Sequence, residues 1–287
     1  MLKKRGTMEN IKSAVFAGGG GRCLWQVGFW DTVAPVMKLK PETVAGVSAG
    51  AAMALMAISG RSEAALKSIK RATSLNKKNF YPENIFKKDP IFPHYTIYRN
   101  TILEIIDNKT LEKIKKGPEI RTLIAHPPFY LGPRSGTFTG LMSYIIEKAV
   151  KQPVHPQLAA KLGFTYSVVK LNDCNTAEEM AHLILCSSCT PPFVPIMKLG
   201  KKTALDGGII DNVPVKALGD DISRGDTIIL MSKTYKKGRI PDEPGRIYVE
   251  PSKTPEIFKW DYTSPHLLQK SYDEGCRDGE LFLKKTK

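Results

Sequence analysis

Apolar residues along this chain come in short continuous runs, separated by glycine-rich turns and by segments of helical period. Ser13 to Ala17 is one such run and predicts a buried strand. Four glycines and Arg22 follow, then helical character from Leu24 to Val36. Thr43 to Val47 predicts a second buried strand. It turns at Gly46-Val-Ser-Ala-Gly50 into an Ala- and Met-rich helix that ends near Gly60, and Ser62 to Ala72 adds a further helix. Strand, turn and helix in alternation are the rhythm of an α/β protein with a mainly parallel sheet.

The pattern changes from residue 76 to 140. Lysines mix there with Phe80, Tyr81, Phe86, Phe92, Tyr95, Tyr98, Phe129 and Tyr130, among many prolines. A helix from Thr101 to Ile106 and a strand from Ile120 to Ala125 stand out, and the stretch reads as an insertion on the scaffold. Beyond it, Leu141 to Val150 predicts a helix and Thr165 to Leu171 a strand. Thr176 is placed to cap a helix, with Glu179 three residues on as in a capping box, and that helix ends against Pro191. Late strands are expected at Thr227 to Met231 and Ile247 to Val249. Ser264-Pro265 opens a closing helix whose Leu268, Tyr272, Cys276 and Phe282 share a face. The expected organisation is a basic N-terminal extension over residues 1–12 and a single domain over 13–287, elaborated around 76–140.

Charge adds a constraint on partners. The 43 Lys and Arg outnumber the 28 Asp and Glu, for a formal +15. Such an excess favours anionic partners, nucleic acid or an anionic membrane surface, unless it serves only as a soluble surface. No nucleic-acid recognition motif is present and the basic residues are spread along the chain, so nucleic acid is not expected. The basic start lacks a following apolar core, and the uncharged run Thr43 to Gly60 is better explained as turn and helix than as a membrane span. A cytoplasmic or peripheral-membrane location is therefore expected. Five cysteines, irregularly spaced, suggest a reducing compartment. The lone Cys186-x-x-Cys189 pair lacks the second ligand pair of a zinc site, and no calcium loop is visible, so no metal or other cofactor is expected.

Three motifs carry candidate chemistry. Gly46-Val47-Ser48-Ala49-Gly50 fits G-x-S-x-G, in which a serine sits on a tight strand-to-helix turn and flanking side chains would collide. Gly18-Gly19-Gly20-Gly21-Arg22 follows a strand and suits backbone N–H groups aimed at an oxyanion. It lacks the lysine of a P-loop, and its sixth position is Cys23, which breaks a dinucleotide fingerprint. A flexible turn remains open. Asp206-Gly207-Gly208, followed by Asn212 and Pro214, fits either a carboxylate brought close to a hydroxyl as general base or an ordinary surface turn.

Together these residues resemble the patatin-like phospholipase family. Gly18 to Arg22, Gly46 to Gly50, the small-residue and proline segment Ser187 to Pro195, and Asp206 to Gly208 occur in that family's order, spanning about Ser13 to Val215. The resemblance implies a three-layer α/β/α fold and hydrolysis of fatty acyl esters, commonly of phospholipids. It implies Ser48 as nucleophile, Asp206 as its base, and Gly18, Gly19, Gly20 and Gly21 as the oxyanion loop, with Arg22 fixing or polarising that region. Cys23 stands where the family often has glycine, which leaves the oxyanion donors open.

Two other readings stand beside this one. Ser48, Asp206 and His266 follow the chain order of a Ser-Asp-His hydrolase, although His266 lies at the start of the closing helix; His126 and His182 precede Asp206. A catalytically silent or partner-activated lipid-binding protein would keep the same fold. For an enzyme working on lipid, the Lys-, Phe- and Tyr-rich middle could be an interfacial lid, or a basic loop with its aromatics folded inward.

Overall fold

The computed structural model describes residues 10–150 and 153–286, so most of the basic 1–12 extension lies outside the described residues. In chain order the elements are β1 (Ile11–Phe16), α1 (Leu24–Met37), β2 (Thr43–Gly46), α2 (Ala49–Ser59), α3 (Ser62–Leu75), α4 (His94–Ile105), α5 (Asn108–Lys115), β3 (Glu119–His126) and α6 (Pro133–Val150). The second half adds α7 (Leu158–Lys161), β4 (Thr165–Lys170), α8 (Ala177–Ser187), β5 (Met197–Leu199), β6 (Lys202–Asp206), α9 (Gly208–Asp211), β7 (Asp226–Leu230), β8 (Arg246–Val249) and α10 (Pro265–Thr286).

The strands form a mixed sheet in the order β5-β6-β3-β2-β1-β7-β8, with β4 pairing β3. Its centre is parallel: β1 pairs β2 and β7, β2 pairs β3, and β7 pairs β8. The pairings of β3 with β4 and β6, and of β5 with β6, are antiparallel. Both faces are covered, which is why the central strands are apolar without interruption. Ala14 and Phe16 of β1, with Ile228 and Leu230 of β7, pack into one core beneath α1, α2, α3, α4, α5, α8 and α10. Their neighbours Val15, Ala17, Ile229 and Met231 face the opposite core, against α7, α9 and the turns near residue 215. The protein is thus an α/β three-layer molecule with a mostly parallel sheet between helices.

In the larger layer α1 and α10 meet backbone to backbone. A Cβ on Gly28 would lie 2.1 Å from Tyr272 O, and one on Gly275 would lie 2.1 Å from Trp25 O. Around that contact Trp25 is fully buried and donates from Nε1 to Asp278 Oδ2 at 2.7 Å, while Phe29 and Phe282 meet edge to face. Thr176 caps α8, its hydroxyl accepting from Glu179 N–H at 3.1 Å.

The middle of the chain differs from the sequence-based expectation. β3, in residues 76–140, bonds to β2, β4 and β6, so part of this stretch is built into the sheet, while the segments before Glu119 and after His126 stand outside it. α4 begins at His94, seven residues before the helix the periodicity predicts, because its first turns pack against Trp260 and Tyr262 from a distant loop. α5 has no counterpart in the sequence reading: it offers only Leu111 and Ile114 to the core and is started by Asp107, whose carboxylate accepts Thr110 N–H at 2.7 Å. The short β5–β6 hairpin was also invisible, being lysine-rich and only half-buried at its start. Among the described residues no helix is long and apolar enough to cross a membrane; the uncharged run from Thr43 is β2 followed by α2.

Candidate active site

β2 ends at Gly46 and α2 begins at Ala49, which leaves two residues for the reversal. Ser48 makes the turn with φ 53° and ψ −135°, a left-handed backbone that non-glycine residues adopt at a cost. Packing enforces it. A Cβ on Gly50 would sit 2.4 Å from Phe16 O and 2.5 Å from Ala17 O, and one on Gly46 would sit 2.6 Å from Ala51 Cα. The small residues thus let α2 approach the ends of β1 and β2 and present Ser48 above them. Ser48 N–H donates to Ser187 Oγ at 2.9 Å, and that hydroxyl donates to Leu123 O at 2.7 Å. Ser187 is fully buried at the end of α8 and so ties the turn to β3.

Asp206 is the last residue of β6, which β3 holds beside the turn. Its Oδ1 accepts Gly208 N–H at 2.7 Å and its Oδ2 accepts the Thr190 hydroxyl at 3.1 Å. The backbone is pinned as well: Asp206 N–H donates to Cys189 O and Gly207 N–H to Ser187 O. A side chain on Gly207 would collide with Leu123 O, since its Cβ would lie only 2.1 Å away. Burial raises the Asp206 pKa above the ordinary carboxylate value. Hydrogen bonds from Ser48, Gly208 and Thr190, and the charge of Lys259, offset that only in part. The carboxylate is therefore a stronger base than one in water, and it faces the Ser48 hydroxyl.

Both groups open into one cavity of about 280 Å³, lined also by Gly19, Gly20, Tyr144, Phe193, Ile209 and Lys259. The four glycines of the first loop divide by role. Gly18 N–H donates to Asn212 O at 2.9 Å, while Gly18 O accepts from Asn212 Nδ2 and Ser232 Oγ. Gly21 N–H points to Lys259 O. Both amides are thus hydrogen-bonded to backbone carbonyls, and of the four glycines Gly19 and Gly20 line the cavity. Arg22 donates from Nε to Ile257 O at 3.0 Å and anchors the loop to the segment after β8. Cys23 is buried, with its thiol directed at Ala17 O, and fills the space under the loop.

A second, apolar cavity of about 40 Å³ shares Gly20 with the first and adjoins Ala49. It runs between Leu24, Met53, Met56, Ile69 and Tyr98 in the helical layer.

Among the described residues no histidine lines the cavity of Ser48 and Asp206. His266 is exposed on the first turn of α10 and lines a separate surface hollow. His126 is held by Thr203 O and Ser167 Oγ, His155 by Asp211 and Tyr248, and His182 by Lys198 O. His94 meets Phe193 edge to face behind the cavity wall, its Nε2 on Trp260 O. Cys186 and Cys189 are buried and unlinked, and among the described residues no group of three or more His, Cys, Asp or Glu is set to hold a metal ion.

Ser187, Thr190, Asn212 and Lys259 are the residues whose parts the sequence does not disclose. The first two lie in the small-residue block before Asp206 and the third six residues after it, so proximity to a motif was their only signal. Lys259 has none.

No curated protein matches the chain. The family model described as patatin-like phospholipase matches residues 14–218, more than half of the chain and the whole of the structure from β1 through the turns that follow Asp206. With that match, on a mostly parallel sheet carrying a serine elbow at the end of its second strand, the chain belongs to the patatin-like phospholipase family, the lipid acyl hydrolases.

Proposed function

We propose that the protein hydrolyses fatty acyl esters of phospholipids through a dyad of Ser48 and Asp206. The observation that carries this reading is the meeting of a strained serine turn, a desolvated carboxylate and two glycines of the first loop in one cavity. Asp206 takes the proton from the Ser48 hydroxyl as Oγ bonds to the ester carbonyl carbon. The N–H groups of Gly19 and Gly20, with the positive end of α2, stabilise the oxyanion of the tetrahedral intermediate. Collapse breaks the ester C–O bond, and the departing alkoxide recovers the proton from Asp206. Water, activated by the same carboxylate, then attacks the acyl-enzyme and releases fatty acid. The apolar cavity beyond Gly20 and Ala49 suits the acyl chain, since it is lined by methionine and aliphatic side chains in the larger core.

Peripheral contact with a lipid surface belongs to the same reading. On α6, whose Leu141 and Ile145 line the cavity, Phe138, Met142, Ile145 and Ile146 are exposed, and Phe129 just before it is 99% exposed. Apolar side chains at the cavity rim can enter the interface while the basic surplus attracts anionic lipid. The aromatics of the middle segment divide between the two alternatives: Phe86 and Phe129 project outward, whereas Phe92 packs inward against Phe193.

The test is fatty-acid release from mixed phospholipid vesicles by wild type and by Ser48→Ala. Release by wild type that the substitution abolishes supports the reading. Failure of correctly folded wild type to release fatty acid from vesicles and from a simple soluble ester leaves a silent or partner-activated relative.

A further inference from the structure

Four cations converge beside the catalytic cavity, brought there by four separate segments. Arg22 comes from the loop after β1, Lys148 from α6, Lys233 from the turn after β7 and Lys259 from the loop before α10. Lys259 lines the cavity that holds Ser48 and Asp206; Lys148 and Lys233 line an adjoining crevice, and Tyr144 and Asn212 form a wall common to both. Tyr144 organises the group. Lys148 Nζ lies over its ring at 5.2 Å and reaches its hydroxyl at 3.5 Å, while Lys259 Nζ lies over the same ring at 5.6 Å. Lys233 Nζ lies over Tyr235 at 4.3 Å.

All four side chains are half-buried, yet among the described residues none is paired with a carboxylate within ion-pair distance. Asp206, across the same cavity, is the one carboxylate whose charge acts on Lys259; the carboxylates nearest Lys148 and Lys233 are engaged elsewhere. Glu147 accepts the N–H groups of Gln157 and Leu158, Asp211 holds His155, and Glu250 accepts Tyr235 N–H. Burial, then the charges of Lys259, Lys233 and Arg22, push the Lys148 pKa down to about 7, and Lys233 is lowered by the same kinds of cause. Lys148 and Lys233 thus gather like charge, with Lys259 and Arg22, out of water and without a carboxylate of their own, and an anion bound among them relieves both the repulsion and the desolvation.

We propose that Lys148, Lys233 and Lys259 form a phosphate-binding subsite that selects lipids whose headgroup is anionic over those whose headgroup is zwitterionic. The inference rests on the hydrolase reading for its substrate, and it adds the headgroup class. With the ester carbonyl at Ser48, a phosphate a few bonds away would lie toward Lys259 in the same cavity and the crevice that adjoins it through Tyr144 and Asn212. A phosphomonoester or a phosphodiester with an uncharged terminus places only negative charge there. A choline or ethanolamine headgroup brings a cation as well, which needs a carboxylate or an open aromatic face. The carboxylates are engaged, and the rings of Tyr144 and Tyr235 already carry lysine ammonium groups.

The experiment compares phosphatidic acid with phosphatidylcholine of identical chains, presented in neutral-detergent micelles, and reads the ratio of the two kcat/KM values. The expected ratio for wild type is about tenfold or more in favour of phosphatidic acid. Lys148→Gln with Lys233→Gln should reduce it by about tenfold, whereas the paired Lys→Arg variant should retain it. Equal losses on both lipids, or an unchanged ratio, overturn the subsite. Calorimetry on the Ser48→Ala protein decides the matter without turnover. Dihexanoyl phosphatidic acid should bind, dihexanoyl phosphatidylcholine should bind about tenfold more weakly, and the Lys→Gln pair should remove the difference. If wild type hydrolyses neither lipid while this binding pattern holds, the hydrolase reading fails and the subsite stands. Binding of inorganic phosphate as tight as that of the lipid would mark a free-phosphate site and overturn the headgroup assignment.

Discussion

Replacing Asp206 by Asn separates the carboxylate's chemical part from its structural one. Asn is isosteric, and both hydrogen bonds have a way to persist. The amide oxygen can accept Gly208 N–H in place of Oδ1, and the amide NH2 can donate to Thr190 Oγ, which turns from donor to acceptor. The base, however, is gone. General-base catalysis contributes about 10²- to 10⁴-fold, or roughly 3 to 6 kcal/mol, so kcat/KM should fall by about that factor. Stability should move the other way. Burial raises the folded pKa of Asp206, so the folded state binds its proton more tightly than the unfolded chain does. Its contribution to stability is therefore best below the unfolded pKa and turns into a penalty that grows as pH rises from there through the folded pKa. Each unit of upward shift corresponds to about 1.4 kcal/mol of that penalty, which the neutral amide removes. The expected variant is thus at least as heat-stable as wild type at pH 7, and the advantage should shrink on acidification. Its wild-type counterpart should show an acid limb in kcat/KM centred above the ordinary Asp value. Fatty-acid release and thermal melts across pH 4–8 make the comparison. Retention of more than about a tenth of wild-type kcat/KM would refute the base assignment, and a melting temperature well below wild type would refute the account of burial.

Other expectations follow from single contacts. Ser48→Gly should abolish activity yet stabilise the fold by about 1 kcal/mol, because glycine adopts φ 53° without strain; a chemical melt reads both this and the neutral result that would dismiss the strain. His266→Ala should leave kcat/KM within about twofold of wild type, since the ring is exposed outside the cavity, and a larger loss would restore the triad. Gly275→Ala should destabilise by about 1–3 kcal/mol by forcing α10 away from Trp25 O, lowering the midpoint of urea unfolding without a matching change in the activity of the folded fraction.

The interval between sequence and structure lies mostly in the middle of the chain. Strands buried on both faces must be apolar throughout, and so β1, β2, β3 and β7 were legible as runs whose ends move by one or two residues. The motifs were legible because their chemistry restricts residue type: a Cβ at Gly46 or Gly50 collides with backbone, whatever surrounds it. α5 and the β5–β6 hairpin escaped because each contributes few apolar positions and is held by partners far along the chain. His94, at the head of α4, is likewise held by Trp260, 166 residues away.

By itself the sequence determined the alternation of strands and helices, the sharp turn at Ser48, the loop of glycines after β1 and the candidacy of Asp206, since these depend on local backbone and residue type. Which glycines line the cavity was decided only by tertiary structure: Asn212 and Lys259, both remote in sequence, engage Gly18 and Gly21, while Gly19 and Gly20 stand at the opening. The proximity of Ser48 to Asp206, 158 positions apart, likewise exists only because β3 lies beside both β2 and β6. The lysine group around Tyr144 is assembled from three segments with no common motif, and long-range packing alone could bring such mutually repelling charges together.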